Sequence, residues 1–139
     1  MSYSTTFHGE ITFDPPIPYG EIKSSPHYLP NWHKASRPGD LVFITEERDE
    51  ETDIGLVKII EAVGVHGVDE ARGYTALAEL EGIVSAYLHV TGGAVRDFRG
   101  RLDAEGEGHG DGPDIWRLKV VNHHAVKFEP RIIWPEESE

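Results

Sequence analysis

The sequence predicts an α+β fold, because segments with a two-residue hydrophobic period are combined with segments of helical period. Glycine and proline separate these segments along 139 residues, and no linker of distinct composition divides them. A chain of this length buries a core large enough to fold without a metal or a disulfide, and it contains no cysteine. We therefore expect a single α+β domain over residues 1–139, with an acidic tail at 136–139.

The first third of the chain predicts a strand, a short helix and a long loop. Residues 5–13 alternate apolar and polar side chains, as in a strand with one buried face. The prolines that follow Asp14 are expected to end its pairing, since proline has no N–H to donate. Proline is tolerated at a helix start, so residues 18–24 predict a short helix. Residues 24–40 contain three prolines and predict an irregular loop.

Two strands and the main helix are predicted next. Residues 41–47 and 54–63 are rich in β-branched side chains and predict a hairpin, with the acidic stretch 46–53 at its tip. Like charges at that position discourage association between strands. Residues 73–89 predict an amphipathic helix that ends before Gly92. Its apolar positions lie three and four residues apart and comprise Leu77, Leu80, Val84, Tyr87 and Leu88.

The last third predicts a strand followed by a hairpin. Residues 95–104 alternate again, and residues 115–121 and 125–134 flank a turn at Asn122-His-His. The order β-α-β-β-α-β is typical of a ferredoxin-like antiparallel sheet, here extended by a C-terminal β-hairpin. A repeated pattern, F-x-G-x-[IL], at residues 7–11 and 98–102 supports this, because the first and fourth strands are neighbours in such a sheet. We expect the two glycines to face the helices and to allow close helix packing.

The charge distribution excludes a general nucleic-acid binder. Thirteen Lys and Arg against 25 Asp and Glu give a net charge of −12, which repels phosphate backbones. The negative charge is concentrated in three stretches, 46–53, 103–114 and 136–139, and the rest of the chain is close to neutral. One hypothesis is therefore an acidic protein that mimics DNA and inhibits a nucleic-acid enzyme. It requires the first two stretches to share one continuous face.

A basic strip is predicted on the open face of the sheet. Seven of the 13 basic residues lie between Arg96 and Arg131. Alternation directs several of them away from the apolar face, and this candidate ligand-binding set comprises Arg99, Arg101, Arg117, Lys119 and Lys127. Such a strip fits an anionic small molecule or an acidic patch on another protein. The alternative is simple cross-strand pairing with the acids of the sheet, which are Glu10, Asp97, Asp103 and Glu129.

A glycine-rich acidic loop, 103–114, is the candidate metal site. Acids at loop positions 1, 3, 5 and 12 with glycine at position 6 match the spacing of an EF-hand calcium loop. The candidate ligands are Glu105, Glu107, His109 and Asp111. The flanks predict strands rather than helices, so a solvated hairpin loop is the competing interpretation. A divalent cation, or a metal-dependent hydrolase built on this loop, is thus an alternative, and no other cofactor is indicated.

No motif in the sequence identifies an activity. There is no HExxH pair, no GxSxG elbow and no GxxxxGK[ST] phosphate loop. The first residues lack the basic and apolar regions of a signal peptide, and no apolar run approaches the roughly 20 residues that cross a bilayer. We therefore expect a cytoplasmic protein that does not bind membranes, and the absence of motifs favours a binding protein over an enzyme.

Three stretches carry a family resemblance: 9–23 (GEITFDPPIPYGEIK), 98–107 (FRGRLDAEGE) and 115–137 (IWRLKVVNHHAVKFEPRIIWPEE). They resemble a family of small uncharacterised acidic proteins from actinobacteria and their phages. The resemblance implies no reaction and no catalytic residue. It does imply an accessory protein that acts on host machinery. The leading hypothesis is a non-enzymatic protein that binds a host protein or sequesters an anionic small molecule such as a nucleotide signal, with a homo-oligomer as an open alternative.

Overall fold

The elements are taken from a computed structural model, which describes residues 4–34, 39–69, 71–106 and 114–130. Six strands dominate: β1 (Thr5–Pro18), β2 (Leu41–Thr52), β3 (Gly55–Gly67), β4 (Asp97–Gly106), β5 (Asp114–Val121) and β6 (His124–Phe128). The helices are α1 (Tyr19–Ile22), α2 (Ala76–Tyr87) and a 3-10 helix at Leu29–Lys34. All six strands form one antiparallel sheet in the order β2-β3-β1-β4-β5-β6.

The predicted ferredoxin-like α+β class is wrong, because the fold is mostly β and only about 17% helical. Within the described residues, α2 alone is a helix of several turns, whereas α1 has four residues. Ser24 and Ser25 follow α1 and are poor helix formers, and Pro26 disfavours helical backbone at the residue before it. The strands are also longer than predicted, since β2 continues through the acidic stretch and turns only after Thr52.

Strand β1 crosses the prolines that were expected to end it. Pairing with β3 is interrupted between Thr12 and Ile17, so Pro15 and Pro16 fall where no ladder hydrogen bond is needed. Pairing then resumes between Ile17 and Ala62, and both of these side chains are fully buried. A proline is compatible with a strand at such an irregularity. The prediction failed because it assumed a regular ladder.

The repeated glycine pattern correctly predicted that β1 and β4 are neighbours. The strands pair from Thr5 with Gly106 to Asp14 with Asp97. The expected reason was wrong, because the close approach is made by the neighbouring strand and not by a helix. A Cβ at Gly9 would lie 2.7 Å from the carbonyl oxygen of Arg101, and one at Gly100 would lie 2.4 Å from that of Glu10. Both glycines also have positive φ, 86° and 95°, which other residues rarely adopt.

The hydrophobic core lies between the sheet and α2. The buried face of α2 consists of Ala76, Leu80, Ile83 and Val84, whereas the predicted core residue Leu77 is 38% exposed. The sheet contributes buried side chains from five of its strands, among them Ile11, Phe43, Val65, Leu102 and Leu118. No helix of the described residues is long and apolar enough to cross a membrane.

A buried arginine joins the end of α2 to β1. Arg96 is 2% exposed, and its guanidinium donates to the carbonyl oxygens of Pro15 (2.6 Å), Pro16 (3.2 Å) and Tyr87. Burial lowers the pKa of Arg96 below its ordinary value. Tyr87 is the last residue of α2, so the cation also lies where the helix dipole is negative.

Candidate functional site

Strands β2 and β3 extend beyond the rest of the sheet as a two-stranded ribbon. Pairing of β3 with β1 ends at Glu61, opposite Pro18, whereas pairing with β2 continues to Gly55, opposite Thr52. We refer to residues 46–60 as the ribbon. Two-stranded hairpins are only marginally stable in water, so this extension is the part of the described fold that is least supported by its neighbours.

The ribbon carries the largest concentration of negative charge in the described residues. It contains six acidic and two basic side chains, a net charge of −4. Residues 46–56 are all exposed to solvent. The two cations are paired at the surface: Lys58 lies 3.5 Å from Glu47, and Arg48 lies 3.4 Å from both Glu50 and Glu61. Because six acids face only two cations within the ribbon, a net charge of −4 remains available to a partner after this pairing.

Apolar side chains of the ribbon are concentrated on β3 and at the turn. Ile54 is 91% exposed and Leu56 is 76% exposed, the highest values among the large apolar residues of the described part. Val57, Ile59 and Ile60 follow them and are half-buried. Contiguous exposed apolar side chains with a polar rim are typical of protein interaction sites. The β2 half of the ribbon is acidic and the β3 half is apolar.

A groove of about 440 Å³ lies at the foot of the ribbon, where β1 leaves the sheet. Tyr19, the first residue of α1, packs edge-on against Tyr28, with their ring centroids 5.9 Å apart. The groove is lined by Pro18, Tyr19, Tyr28, Arg48, Lys58, Ile59, Ile60 and Glu61. It therefore combines apolar walls with charged side chains of both signs.

The predicted basic strip is divided between the two faces of the sheet. Arg101, Arg117 and Lys119 lie on the face opposite the core, because they alternate with buried Leu102, Trp116 and Leu118. Arg99 is exposed on the same face as Arg101. Lys127 lies on the other face, because it pairs with Leu118, and its Nζ atom is 4.8 Å from the centre of the Trp116 ring.

The arginines of the strip are matched by acids within the sheet. Asp103 accepts a 2.6 Å hydrogen bond from Nε of Arg117 and lies 3.2 Å from Nε of Arg101. The Arg117 hydrogen bond is the main reason why the pKa of Asp103 is lowered. Arg99 lies 2.5 Å from Asp97. Lys127, on the other face of the sheet, lies 3.6 Å from Glu129. These contacts agree with the alternative of simple pairing within the sheet.

A smaller groove of about 340 Å³ lies at the β5–β6 edge on the side of the strip. Its lining includes Arg117 and Asp103 together with two half-exposed apolar side chains, Ile115 and Phe128. The cation in this lining is Arg117, which already donates a hydrogen bond to Asp103. The groove therefore offers an anion less free positive charge than the sequence suggested.

The predicted metal loop lies mostly outside the described residues. Glu105 is exposed on β4, whereas Glu107, His109 and Asp111 fall in the part that is not described. Within residues 4–34, 39–69, 71–106 and 114–130, no three His, Asp or Glu side chains are grouped as metal ligands. The cation site therefore stays a prediction.

The two acidic stretches lie at opposite ends of the sheet. Gly106, where the 103–114 stretch leaves β4, pairs with Thr5 at the start of β1. The ribbon begins where Pro18, at the end of β1, pairs with Glu61. A continuous acidic face is therefore not formed by the described residues, and the DNA-mimic hypothesis gains no support.

A pair of carboxylates, of which Asp40 is buried and Glu79 partly exposed, was missed by the sequence analysis. Asp40 is 4% exposed and accepts hydrogen bonds from the backbone N–H groups of Arg72 (3.1 Å), Gly73 (3.0 Å) and Thr75 (2.9 Å). Glu79 accepts in turn from the N–H groups of Asp40 (2.8 Å) and Leu41 (3.2 Å). These contacts fix the start of α2 against the start of β2.

Histidine and threonine complete this carboxylate cluster. The hydroxyl of Thr75 lies 2.5 Å from Glu79 and 3.1 Å from Asp40, and Nδ1 of His27 lies 3.5 Å from Glu79. Two acids, a histidine and a hydroxyl are the components of an acid–base site. Here every carboxylate oxygen accepts from the protein itself, so the cluster serves the fold. The sequence contains one weak signal of this cluster, which is Gly39. A Cβ at that position would collide with the carboxylate of Glu79.

Comparison with known proteins identifies one family. A family model described as a family of unknown function (DUF6205) matches residues 1–139. The chain matches none of the curated proteins and none of the solved structures with which it was compared. The family match confirms the prediction of an uncharacterised family, whereas the actinobacterial and phage association stays a prediction.

Proposed function

We propose that this protein, which belongs to the DUF6205 family, is a non-enzymatic binding protein that uses the ribbon to recognise a partner protein. The observation that carries the proposal is the exposure of Ile54 and Leu56 at the end of a ribbon that no other strand of the described residues supports. The ribbon's net charge of −4 selects a partner with a basic surface.

The remaining polar groups support binding rather than catalysis. The grouping that most resembles an acid–base site, around Asp40 and Glu79, is occupied by backbone donors. The arginines of the open face are paired with Asp97 and Asp103. Sequestration of an anionic small molecule on that face therefore has less support than recognition of a protein through the ribbon. A metal-dependent role for loop 103–114 stays an untested alternative.

The cellular setting follows from the sequence resemblance. The resemblance to proteins of actinobacteria and their phages supports an accessory protein that acts on components of the host cell, and we propose that it does so in the cytoplasm. An extended ribbon suits that role, because it presents side chains from both strands at some distance from the core. The rigid core supplies the support on which the ribbon is held.

A site-specific photo-cross-linker tests the proposal in cells of the natural source. It is placed at Leu56 in one variant and at Ile115 in a control, since Ile115 is also an exposed apolar strand residue but lies beside the smaller groove. We expect one protein to be cross-linked from Leu56 and none from Ile115. Cross-linking from Ile115 alone, or from neither position, would contradict the proposal.

The captured protein is then purified and its affinity measured by calorimetry. Leu56→Ser is expected to weaken binding at least tenfold, because it removes an exposed apolar contact without disturbing the core. Glu51→Lys, on the strand opposite Leu56, is expected to slow association, because it reverses a charge that attracts a basic partner. Ile115→Ser is the matched control, and an equal loss with it would sink the assignment to the ribbon.

A further inference from the structure

One edge of the ribbon has no neighbouring strand in the described part of the chain. Residues 55–60 of β3 pair with β2 on one side, and on the other side no strand of the described residues flanks them. In an antiparallel strand, alternate residues direct their N–H and C=O groups to each side. Over six residues this leaves roughly 20 Å of strand edge with unpaired backbone groups.

The two edges of the ribbon differ in how they are protected. The β2 edge carries Glu46, Glu47, Asp49, Glu50 and Glu51, and densely charged edges resist pairing with other strands. The β3 edge carries one charge, Lys58, among Leu56, Val57, Ile59 and Ile60. β-branched and apolar side chains favour strand pairing. The protein thus blocks one edge of the ribbon and leaves the other open.

The open edge is continuous with a groove. Where β1 turns away at Pro18, the two tyrosine rings form an end wall, and Ile59 and Ile60 line the space beside them. A strand added in line with β1 would continue the sheet beyond Pro18, where β1 ends. It would also convert the two-stranded ribbon into a three-stranded sheet. Three strands are the minimum for a sheet that is stable in water.

We infer that an extended segment of the partner protein binds as a third strand along residues 55–60 of β3. The inference rests on the proposed function and specifies its mode of binding, which is strand addition. The segment alternates apolar and basic residues, so its apolar side chains share one face and its basic side chains share the other. The apolar ones meet Val57 and Ile59, and the basic ones lie on the opposite face, which carries Glu47, Asp49 and Glu51 of β2. A second copy of this chain fits worse, because its ribbon carries the same charge.

Amide hydrogen exchange followed by NMR on the full-length protein tests the inference. The probe is the peptide acetyl-Val-Lys-Val-Lys-Val-Lys-Val-amide, and the charge control replaces each lysine by glutamate. With the lysine peptide we expect slower exchange at alternate amides between residues 55 and 60. With the glutamate peptide we expect no change. No protection at millimolar lysine peptide, or equal protection with both peptides, would overturn the inference.

Two N-methylated peptides separate strand addition from side-chain docking. One is methylated on its valine amides and the other on its lysine amides, so each loses the donors of one edge while charge and side chains stay the same. Strand addition predicts that at least one form binds tenfold more weakly than the parent. Equal binding of all three forms overturns strand addition but leaves the proposed function standing, since cross-linking from Leu56 is decided separately.

Sedimentation of the protein alone tests the competing occupant. We expect a monomer, and Lys58→Glu should leave it a monomer while strengthening binding of the lysine peptide severalfold. A dimer that disappears when Ile59 is replaced by proline would show that a second copy occupies the edge, and would overturn the choice of a basic partner segment.

Discussion

The two halves of strand β3 lie in different surroundings. Residues 61–65 are flanked by β1 and β2, and they include fully buried Ala62 and Val65. Among the described strands, β2 is the one that flanks residues 55–60, whose apolar side chains stay partly or wholly exposed. The same strand therefore contributes to the core at one end and presents a surface at the other. We therefore expect changes near the core to lower stability strongly and changes in the ribbon to affect it little, as the proposed binding role requires.

Two aspartates give the largest expected contrast between the core and the ribbon. Asp40→Ala leaves three backbone N–H groups near a buried site without their acceptor, and we expect the free energy of unfolding to fall by about 3 kcal/mol or more. Asp49→Ala, on the exposed ribbon, is expected to change it by less than about 0.5 kcal/mol. Urea denaturation measures both, and similar losses would break the distinction between the two regions.

Two arginines give a second, smaller contrast. Arg96→Met keeps much of the side-chain volume but removes donors to three carbonyl oxygens, so we expect a loss of about 2–3 kcal/mol. Arg48→Met breaks only surface pairs with Glu50 and Glu61, and its effect should stay below about 0.5 kcal/mol. The thermal unfolding midpoints provide the comparison. A larger loss for Arg48 would mean that the ribbon contributes to the core.

The pH dependence of stability is the smallest expected effect. Hydrogen bonds from His124 and from the Ala125 N–H lower the pKa of Glu81, and the Arg117 hydrogen bond lowers that of Asp103. A carboxyl group whose pKa is lower in the folded state stabilises it above the pKa of the unfolded chain, and this contribution disappears as pH falls through the folded value. The contribution is therefore complete above about pH 5 and lost in more acidic solution.

The matched variant is Glu81→Gln combined with Asp103→Asn. Both carboxylates are solvent-screened, so we expect a difference of at most about 1 kcal/mol from the natural sequence at pH 7. The difference should shrink towards zero on acidification, as measured by thermal unfolding at a series of pH values. A difference that grows in acid would contradict the assigned hydrogen bonds.

Short-range sequence patterns correctly predicted one helix, one strand pairing and one turn. Helical spacing identified α2 between residues 73 and 89. The repeated F-x-G-x pattern identified the pairing of β1 with β4, because each glycine is needed by the strand beside it. The turn at Asn122-His123 was found as well, and both residues have the positive φ that a tight hairpin requires.

Features that depend on register or on distant partners were missed. Lys127 was placed on the wrong face of the sheet, because alternation within β6 does not show which residue pairs with Leu118. The contact between Asp40 and Glu79 joins residues 39 positions apart and leaves no periodic signal. The ribbon was read as a charged hairpin tip, because acidic residues are poor strand formers and their pairing with apolar β3 residues is visible only in the structure.

The position of β1 has a consequence for how the chain is made. Of the six strands, β1 is synthesised before the other five, yet it lies in the interior of the sheet between β3 and β4. Thr5 pairs with Gly106, so most of the chain must be synthesised before the first strand is flanked on both sides. Contacts so distant in sequence close slowly. During synthesis, β1 can therefore pair first with β3 alone, and its other edge stays open until residues 97–106 have been made.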